Sequence, residues 1–184
     1  MDEDPRCPHR KTVRIPDYDY SQPGAYFVTL VTYRRDTLLS EIVDGQTKLS
    51  RYGVIVRDAW RDLCMHHSYL RNEEFCIMPD HFHGIICLEE SFIGGHMAIE
   101  GRGGEDGETC PPRGDMMATK APISEILRGF KSFSARRINA MRHTPGVPVW
   151  MRGYHEHIIS NEDELYQIRQ YIIENPVKWG RKGK

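Results

Sequence analysis

A chain of 184 residues, 39% of them hydrophobic, fits one domain with its own core, and no apolar run approaches the roughly 18 residues a membrane span requires. Lys and Arg total 25 against 26 Asp and Glu, a formal net charge of -1, so the whole-chain balance lacks the positive excess common in nucleic-acid binders and any basic surface has to be local. The five cysteines (Cys7, Cys64, Cys76, Cys87, Cys110) are odd in number and form no CxxC pair, which argues against a disulfide framework or a thiolate zinc site and for a reducing, cytoplasmic setting.

The N-terminal MDEDPRCPHRK opens acidic and lacks the apolar segment of an export signal. Residues 1–24, rich in Pro, Asp, Arg and Tyr, read as an N-terminal arm ending in the turn Ser21-Gln22-Pro23-Gly24, with one domain expected over 25–184. AYFVTLVTY, Ala25 to Tyr33, is dense in β-branched and aromatic residues over the length of one strand. After a polar stretch, Tyr52, Val56, Trp60 and Leu63 recur at helical steps behind Ser50, a natural N-cap, which predicts an amphipathic helix over Ser50 to His66.

EEFCIMPDHFHGIICL supplies two apolar runs meeting at Pro79-Asp80, and proline presets φ for a β-turn, so the segment reads as a hairpin whose second strand His81 opens. Between Ser91 and Lys120 lie seven glycines, Pro111-Pro112 and mixed charges, a composition that buries too little surface to offset its ordering entropy; a flexible insert is expected at about 91–121. SEILRGFKSFSARRINAM, from Ser124, places Ile126, Phe130, Phe133 and Ile138 on one broad helical face. From Ala121 to Arg152 there are six basic residues (Arg128, Lys131, Arg136, Arg137, Arg142, Arg152) against the single acid Glu125, which makes this segment the local basic patch.

VWMRGYHEHII, Val149 to Ile159, reads as another strand, and Asn161-x-x-Glu164 resembles a capping box opening a last helix that Pro176 is expected to end. The order strand, helix, strand, strand, helix, strand, helix is that of an α+β, ferredoxin-like split βαβ with an antiparallel sheet and an appended C-terminal helix.

Alternate strand residues share a face, so His81 and His83 project together while Phe82 points away, and two converging imidazoles form a natural grip for a metal ion. A hydrogen-bonded pair without metal is the plainer alternative, and His155-Glu156-His157 repeats the spacing in a more polar stretch. Two histidines leave coordination positions open, which directs attention to the last helix. There Leu165, Ile168 and Ile172 form an apolar stripe, and Tyr171 and Asn175, at i and i+4, fall on one flank. Tyr171 reads either as an edge-of-core tyrosine or as a nucleophile, and Asn175 either as a C-cap or as a third ligand through its carbonyl oxygen.

HFH after a Pro-Asp turn, together with QYIIENPVKW near the C-terminus, resembles the HUH single-strand DNA transposases with one catalytic tyrosine. More closely, YDYSQPGAYFVTL, MPDHFHGII, the helix around Phe130-Lys131-Ser132, VWMRGYHEHI and YIIENPVKW, in that order, are similar to the REP-associated tyrosine transposase group. The resemblance implies a divalent cation, Mg2+ or Mn2+, held by His81 and His83 with Asn175 as the polar residue on the metal side, and Tyr171 as nucleophile. It implies cleavage and strand transfer on single-stranded DNA beside a hairpin or palindrome, through a 5′-phosphotyrosine, by a cytoplasmic bacterial protein acting at the nucleoid as monomer or homodimer. Arg128, Lys131, Arg136, Arg137 and Arg152 are then candidates for backbone contacts, Trp150 and Tyr154 for base stacking, and His157 for orienting Tyr171 or a phosphate. The Gly-rich segment is not part of the resemblance.

Other classes are a DNA-binding protein that does not cut, a hydrolase using the HxH pair with Asp80 as base, and a structural protein. On an alternating strand Asp80 points away from both histidines, whereas in the turn its side chain can still swing toward them.

Overall fold

A computed structural model describes residues 19–90 and 120–182, the last three by backbone alone. Most of the expected arm and nearly all of the expected Gly-rich insert lie outside the described residues. In chain order the elements are β1 (Gly24–Val31), a short 3-10 turn (Tyr33–Arg35), β2 (Ser40–Val43), β3 (Gln46–Leu49), α1 (Arg51–Arg61), α2 (Leu63–His66), β4 (Leu70–Ile77), β5 (His81–Leu88), α3 (Ile123–Met141), β6 (His155–Ile159) and α4 (Glu162–Lys182). No helix among them is long and apolar enough to cross a membrane.

The main sheet runs β4-β5-β1-β6, and every neighbouring pair is antiparallel. β1 and β4 are therefore parallel to each other with β5 between them, which is the expected split βαβ. The Ser50 hydroxyl accepts from the backbone N–H groups of Tyr52 and Gly53, both at 3.1 Å, and fixes the start of α1. The Met78 N–H donates to the His81 carbonyl at 2.8 Å, closing the Pro79-Asp80 turn.

Strand alternation divides the protein into two cores. Tyr26, Val28 and Leu30 of β1 and Phe82, Ile86 and Leu88 of β5 face α1 and α3, where Trp60, Ile126, Leu127 and Phe130 complete the larger core. On the opposite face Cys76, Met78, Ile85, Cys87 and Ile159 meet Leu165 and Ile172 of α4 in a smaller one. At 25 cal/mol per Å² the larger face contributes most of the hydrophobic stabilisation, which leaves the α4 face room for polar groups.

Three expectations need correction. The polar stretch before α1 is a β-hairpin, β2-β3, whose turn residues Asp44 (φ 51) and Gly45 (φ 76) both lie in the left-handed region, as a tight two-residue hairpin turn requires. The strand expected over Val149 to Ile159 is only His155–Ile159; Trp150 makes an isolated bridge to Thr32, and the Lys131 ammonium draws the carbonyls of Met151 and Gly153 out of any ladder. Pro176 does not end the last helix, which continues to Lys182. An interior proline costs about 3 kcal/mol in lost bonding and clash, and tertiary contacts beyond it offset this: Val177 sits 3.4 Å from a Cβ position at Gly45, and Trp179 packs on His81.

Gly84, in β5, shows how tightly the larger core closes over the strand. A Cβ there would lie 2.6 Å from the Trp60 ring and 2.9 Å from Phe82. Gly84→Ala is expected to destabilise the fold by about 1–3 kcal/mol through overpacking, read as a lower urea midpoint with an unchanged m-value.

Candidate active site

His81 and His83 share the α4 face, with ring centroids 4.7 Å apart. The second atom of each ring is held by a neighbour. His81 Nδ1 lies 2.5 Å from Asp80 Oδ1, and a carboxylate can only accept, so His81 donates from Nδ1 and keeps its Nε2 lone pair. His83 Nδ1 lies 2.8 Å from Thr29 Oγ1, its cross-strand partner on β1; with the Nδ1 hydrogen given to Thr29, its Nε2 is also a bare lone pair. Metal-binding histidines are characteristically oriented through the far nitrogen in this way.

Asp80 is itself placed from three directions. Its backbone carbonyl accepts from the Thr32 N–H at 2.9 Å and the Thr32 hydroxyl at 2.8 Å, and its Oδ2 accepts from Arg35 at 3.1 Å. Arg34 and Arg35 have φ of 56 and 59, the left-handed region, as the chain turns back toward Asp80. Asp80 thus points toward His81 and not away from it: alternation applies to β5, which begins at His81, whereas Asp80 is still in the turn. Engaged by both Arg35 and His81, its carboxylate is an orienting group rather than a free base for hydrolysis.

Burial lowers the pKa of the His83 imidazole to about 3 from the ordinary 6.5, with the neighbouring His81 adding to the effect and Asp80 opposing it. His83 is therefore neutral near pH 7, as a ligand must be. Its ring stacks on Phe27, with centroids 5.3 Å apart.

The last helix turns the expected flank toward this pair. The Tyr171 ring meets His83 at 5.4 Å and the edge of Phe27 at 6.1 Å, and two turns later Trp179 meets His81 at 5.4 Å. Asn175 lies between them in the row i, i+4, i+8 and is 8% exposed, whereas Tyr171 is 42% exposed. Because the helix continues past Pro176, Asn175 is an interior helical residue and not a C-cap. Among the described residues no group of three or more His, Cys, Asp or Glu side chains assembles for a metal. The donors at the pair are thus two imidazole nitrogens, with the Asn175 carboxamide as their buried helical neighbour.

The other sequence candidates are placed elsewhere. α3 packs on the opposite face of the sheet, Phe130 against Phe82 and Trp60, so Arg128, Arg136 and Arg137 lie across the sheet from the histidines. Arg128 is paired with Glu125, and Arg137 lies over the Phe133 ring. Lys131 donates to the carbonyls of Met151 at 2.7 Å and Gly153 at 3.0 Å, and burial lowers its pKa, so it fastens a loop rather than offering its charge to DNA. Trp150 is a core residue, 7% exposed, whose indole N–H donates to Ser134 at 3.0 Å; no face of it is open to a base. Tyr154 is half-buried against the larger core, and Arg152 is exposed beside it. His157 lies 2.6 Å from Glu164, the carboxylate that accepts from the Ser160 N–H, so it steadies the start of α4 instead of orienting Tyr171.

The sequence reading missed Thr29, Phe27, Arg35, Trp179 and Lys178, whose ammonium lies 5.9 Å from the Tyr171 ring centre and pairs with Glu174. Asp80 could have been suspected from its adjacency to His81. Thr29 depends on the β1-β5 register, which no local pattern reveals.

No model of a known protein family matches the chain. An uncharacterised protein of Haemophilus influenzae is 33% identical over 172 residues, 93% of this chain and 90% of the relative. A second protein of that organism, described as "Putative REP-associated tyrosine transposase", is 25% identical over 162 residues, 88% of this chain and 75% of the relative. Among solved structures, a REP-associated tyrosine transposase bound to a REP hairpin shares the fold, with a TM-score of 0.54 at 21% identity over 86% of this chain and 70% of that one.

Two outcomes are expected at this site. Asp80→Ala should weaken Mn2+ binding about 10- to 100-fold in calorimetric titration, because the His81 ring loses its orienting acceptor; unchanged affinity would remove Asp80 from the site. As pH falls from 6.5 toward about 3, the unfolded chain protonates His83 before the folded one does, so stability drops through that window. Urea unfolding at about pH 7 and about pH 4.5 should show this drop, and His83→Asn should make it smaller.

Proposed function

We propose that the chain, which is similar in sequence and fold to REP-associated tyrosine transposases, cleaves and rejoins single-stranded DNA beside a hairpin or palindrome, with Tyr171 as the nucleophile. The observation that carries this reading is the meeting of His83 and Tyr171, 88 positions apart in the chain, at a centroid distance of 5.4 Å, with the His81 and His83 rings 4.7 Å apart and each held through Nδ1.

His81, His83 and the Asn175 carboxamide would hold a divalent cation, Mg2+ or Mn2+; when bound, the cation withdraws charge from the scissile phosphate. Asp80 and Thr29 hold both imidazoles through Nδ1, so that Nε2 of each would be the ligating nitrogen. Phe27 and His83 limit the swing of the Tyr171 ring, while its partial exposure admits a DNA strand. The Tyr171 oxygen attacks phosphorus and gives up its proton, the bond from phosphorus to the 3′-oxygen breaks, and that oxygen takes up a proton. The products are a 5′-phosphotyrosine and a free 3′-hydroxyl. Attack by a 3′-hydroxyl on the tyrosyl phosphodiester reverses the step and joins strands without ATP. Arg35, paired with Asp80, and Lys178, paired with Glu174, flank the two sides of the site. All the named groups belong to one chain, so a monomer suffices for the chemistry.

Labelled single-stranded hairpin DNA incubated with the protein and Mn2+ is expected to give a covalent protein–DNA adduct on a denaturing gel. Tyr171→Phe and excess EDTA should each abolish it. An adduct that survives in Tyr171→Phe would assign the nucleophile elsewhere, and cleavage without adduct in that variant would favour a metal hydrolase.

A further inference from the structure

Tyr171 can act on the histidine pair only if α4 keeps one rotation about its own axis, and its ring contacts constrain only one side of the helix. We infer that Arg169 is a positioning residue: its ionic contacts to Glu73 and Glu74 on the edge strand set the roll of α4 and so aim Tyr171 and Asn175 at His81 and His83. This rests on the function proposed above.

β4 carries the device. Its register against β5 shifts between Asn72 and Phe75, a bulge in which two residues occupy the place of one. In a regular strand Glu73 and Glu74 would point to opposite faces; at the bulge both reach Arg169. Arg169 Nε lies 3.1 Å from Glu73 Oε2 and 3.1 Å from Glu74 Oε2, and Nη2 also contacts Glu73. The Glu73 side chain is 6% exposed and takes a further contact from Arg71 at 3.3 Å. A buried carboxylate paired in this way is weak evidence for added stability, since desolvation consumes much of the attraction. What the pair does specify is direction.

Arg169 and Tyr171 are two residues apart, about 200° around the helix, so they occupy opposite flanks of the buried stripe Leu165, Ile168 and Ile172. Arg169 is tied to β4 at the sheet edge, and Tyr171 rests on β5 and β1 through His83 and Phe27. Release of one flank lets the helix roll on its apolar stripe. A groove of about 590 Å³ beside Arg169, lined also by Phe75, Ile173 and Pro176, leaves space for that movement. With side chains reaching about 6 Å from the helix axis, a roll of about 10° displaces the Tyr171 ring by about 1 Å. A displacement of that size costs on the order of 100-fold in a positioned reaction.

The test compares wild type with Arg169→Ala, Arg169→Lys and the neutral pair Glu73→Gln/Arg169→Gln, which leaves no buried charge unpaired. Single-turnover adduct formation at saturating hairpin DNA and Mn2+ is expected to fall about 10- to 100-fold in Arg169→Ala and in the neutral pair, and less in Arg169→Lys. The DNA concentration for half-saturation should stay within about twofold. Trp179 emission, which needs neither DNA nor metal, should shift in the same variants, because Trp60 and Trp150 lie in the other core and stay constant. An undiminished rate overturns the inference, and so does a fall in rate matched by an equal loss of DNA affinity. Absence of any adduct in wild type refutes the proposed function; a Trp179 shift in the variants would then still support the control of helix roll, and no shift would refute that too.

Discussion

A buried imidazole is tolerated when it is neutral and hydrogen-bonded, and His83 is neutral near pH 7 with its Nδ1 bonded to Thr29. The bond exists because β1 pairs with β5 in the register that sets Thr29 opposite His83. A slip of one residue would bring Val28 or Leu30 there and turn both histidines toward Trp60 and Phe130. The same register sets Phe27 beside His83, where it forms the floor on which Tyr171 lies. One strand pairing therefore determines the hydrogen-bond partner of His83, the seat of the Tyr171 ring and the face of the sheet on which both lie.

The two faces of the sheet divide the work. The α1/α3 face carries the large aromatic core of Trp60, Phe82 and Phe130, with the overpacked surroundings of Gly84. The α4 face buries fewer and smaller groups and accommodates two histidines, Asp80 and Asn175 at little cost to the whole. This division also separates the charges. The basic helix α3 stands behind the sheet, and part of its charge is spent on Glu125 and on loop carbonyls. The cations beside the histidines are Arg35, which reaches Asp80 out of a left-handed turn, and Lys178 on α4, and each of them is paired with a carboxylate too.

Much of this was legible in the sequence wherever the determinant was local. Alternation put His81 and His83 on one face, the 3.6-residue period put Tyr171 and Asn175 on one flank, and Ser50 and the Asp80 turn marked element boundaries. The β2-β3 hairpin was legible too, since Asp44-Gly45 is a strong turn signal, and was obscured only by its polar strands. What could not be read depended on partners distant in sequence: Thr29 on register, Trp150 on burial against Ser134, and the facing of α3 on which side of the sheet it packs. Pro176 misled for the same reason, because a local rule that ends isolated helices yields when residues beyond the proline, Val177 and Trp179, have contacts to make.

Continuation of α4 past Pro176 is what gives the site its depth. Tyr171, Asn175 and Trp179 form one row, and exposure drops from 42% at Tyr171 to 8% at Asn175 before Trp179 covers His81. If the helix stopped at Asn175, the His81 ring would lose its cover and the carboxamide would be a frayed terminus in water. With the extra turns in place, the histidine pair is covered by α4 while the phenol stays partly exposed. Burial keeps the His83 imidazole neutral and strengthens any charge interaction beside it, while the exposed side of Tyr171 is open to solvent. The proposed nucleophile and the proposed ligand set need opposite degrees of solvent access, and a single helix over the sheet provides both one turn apart, at Tyr171 and Asn175.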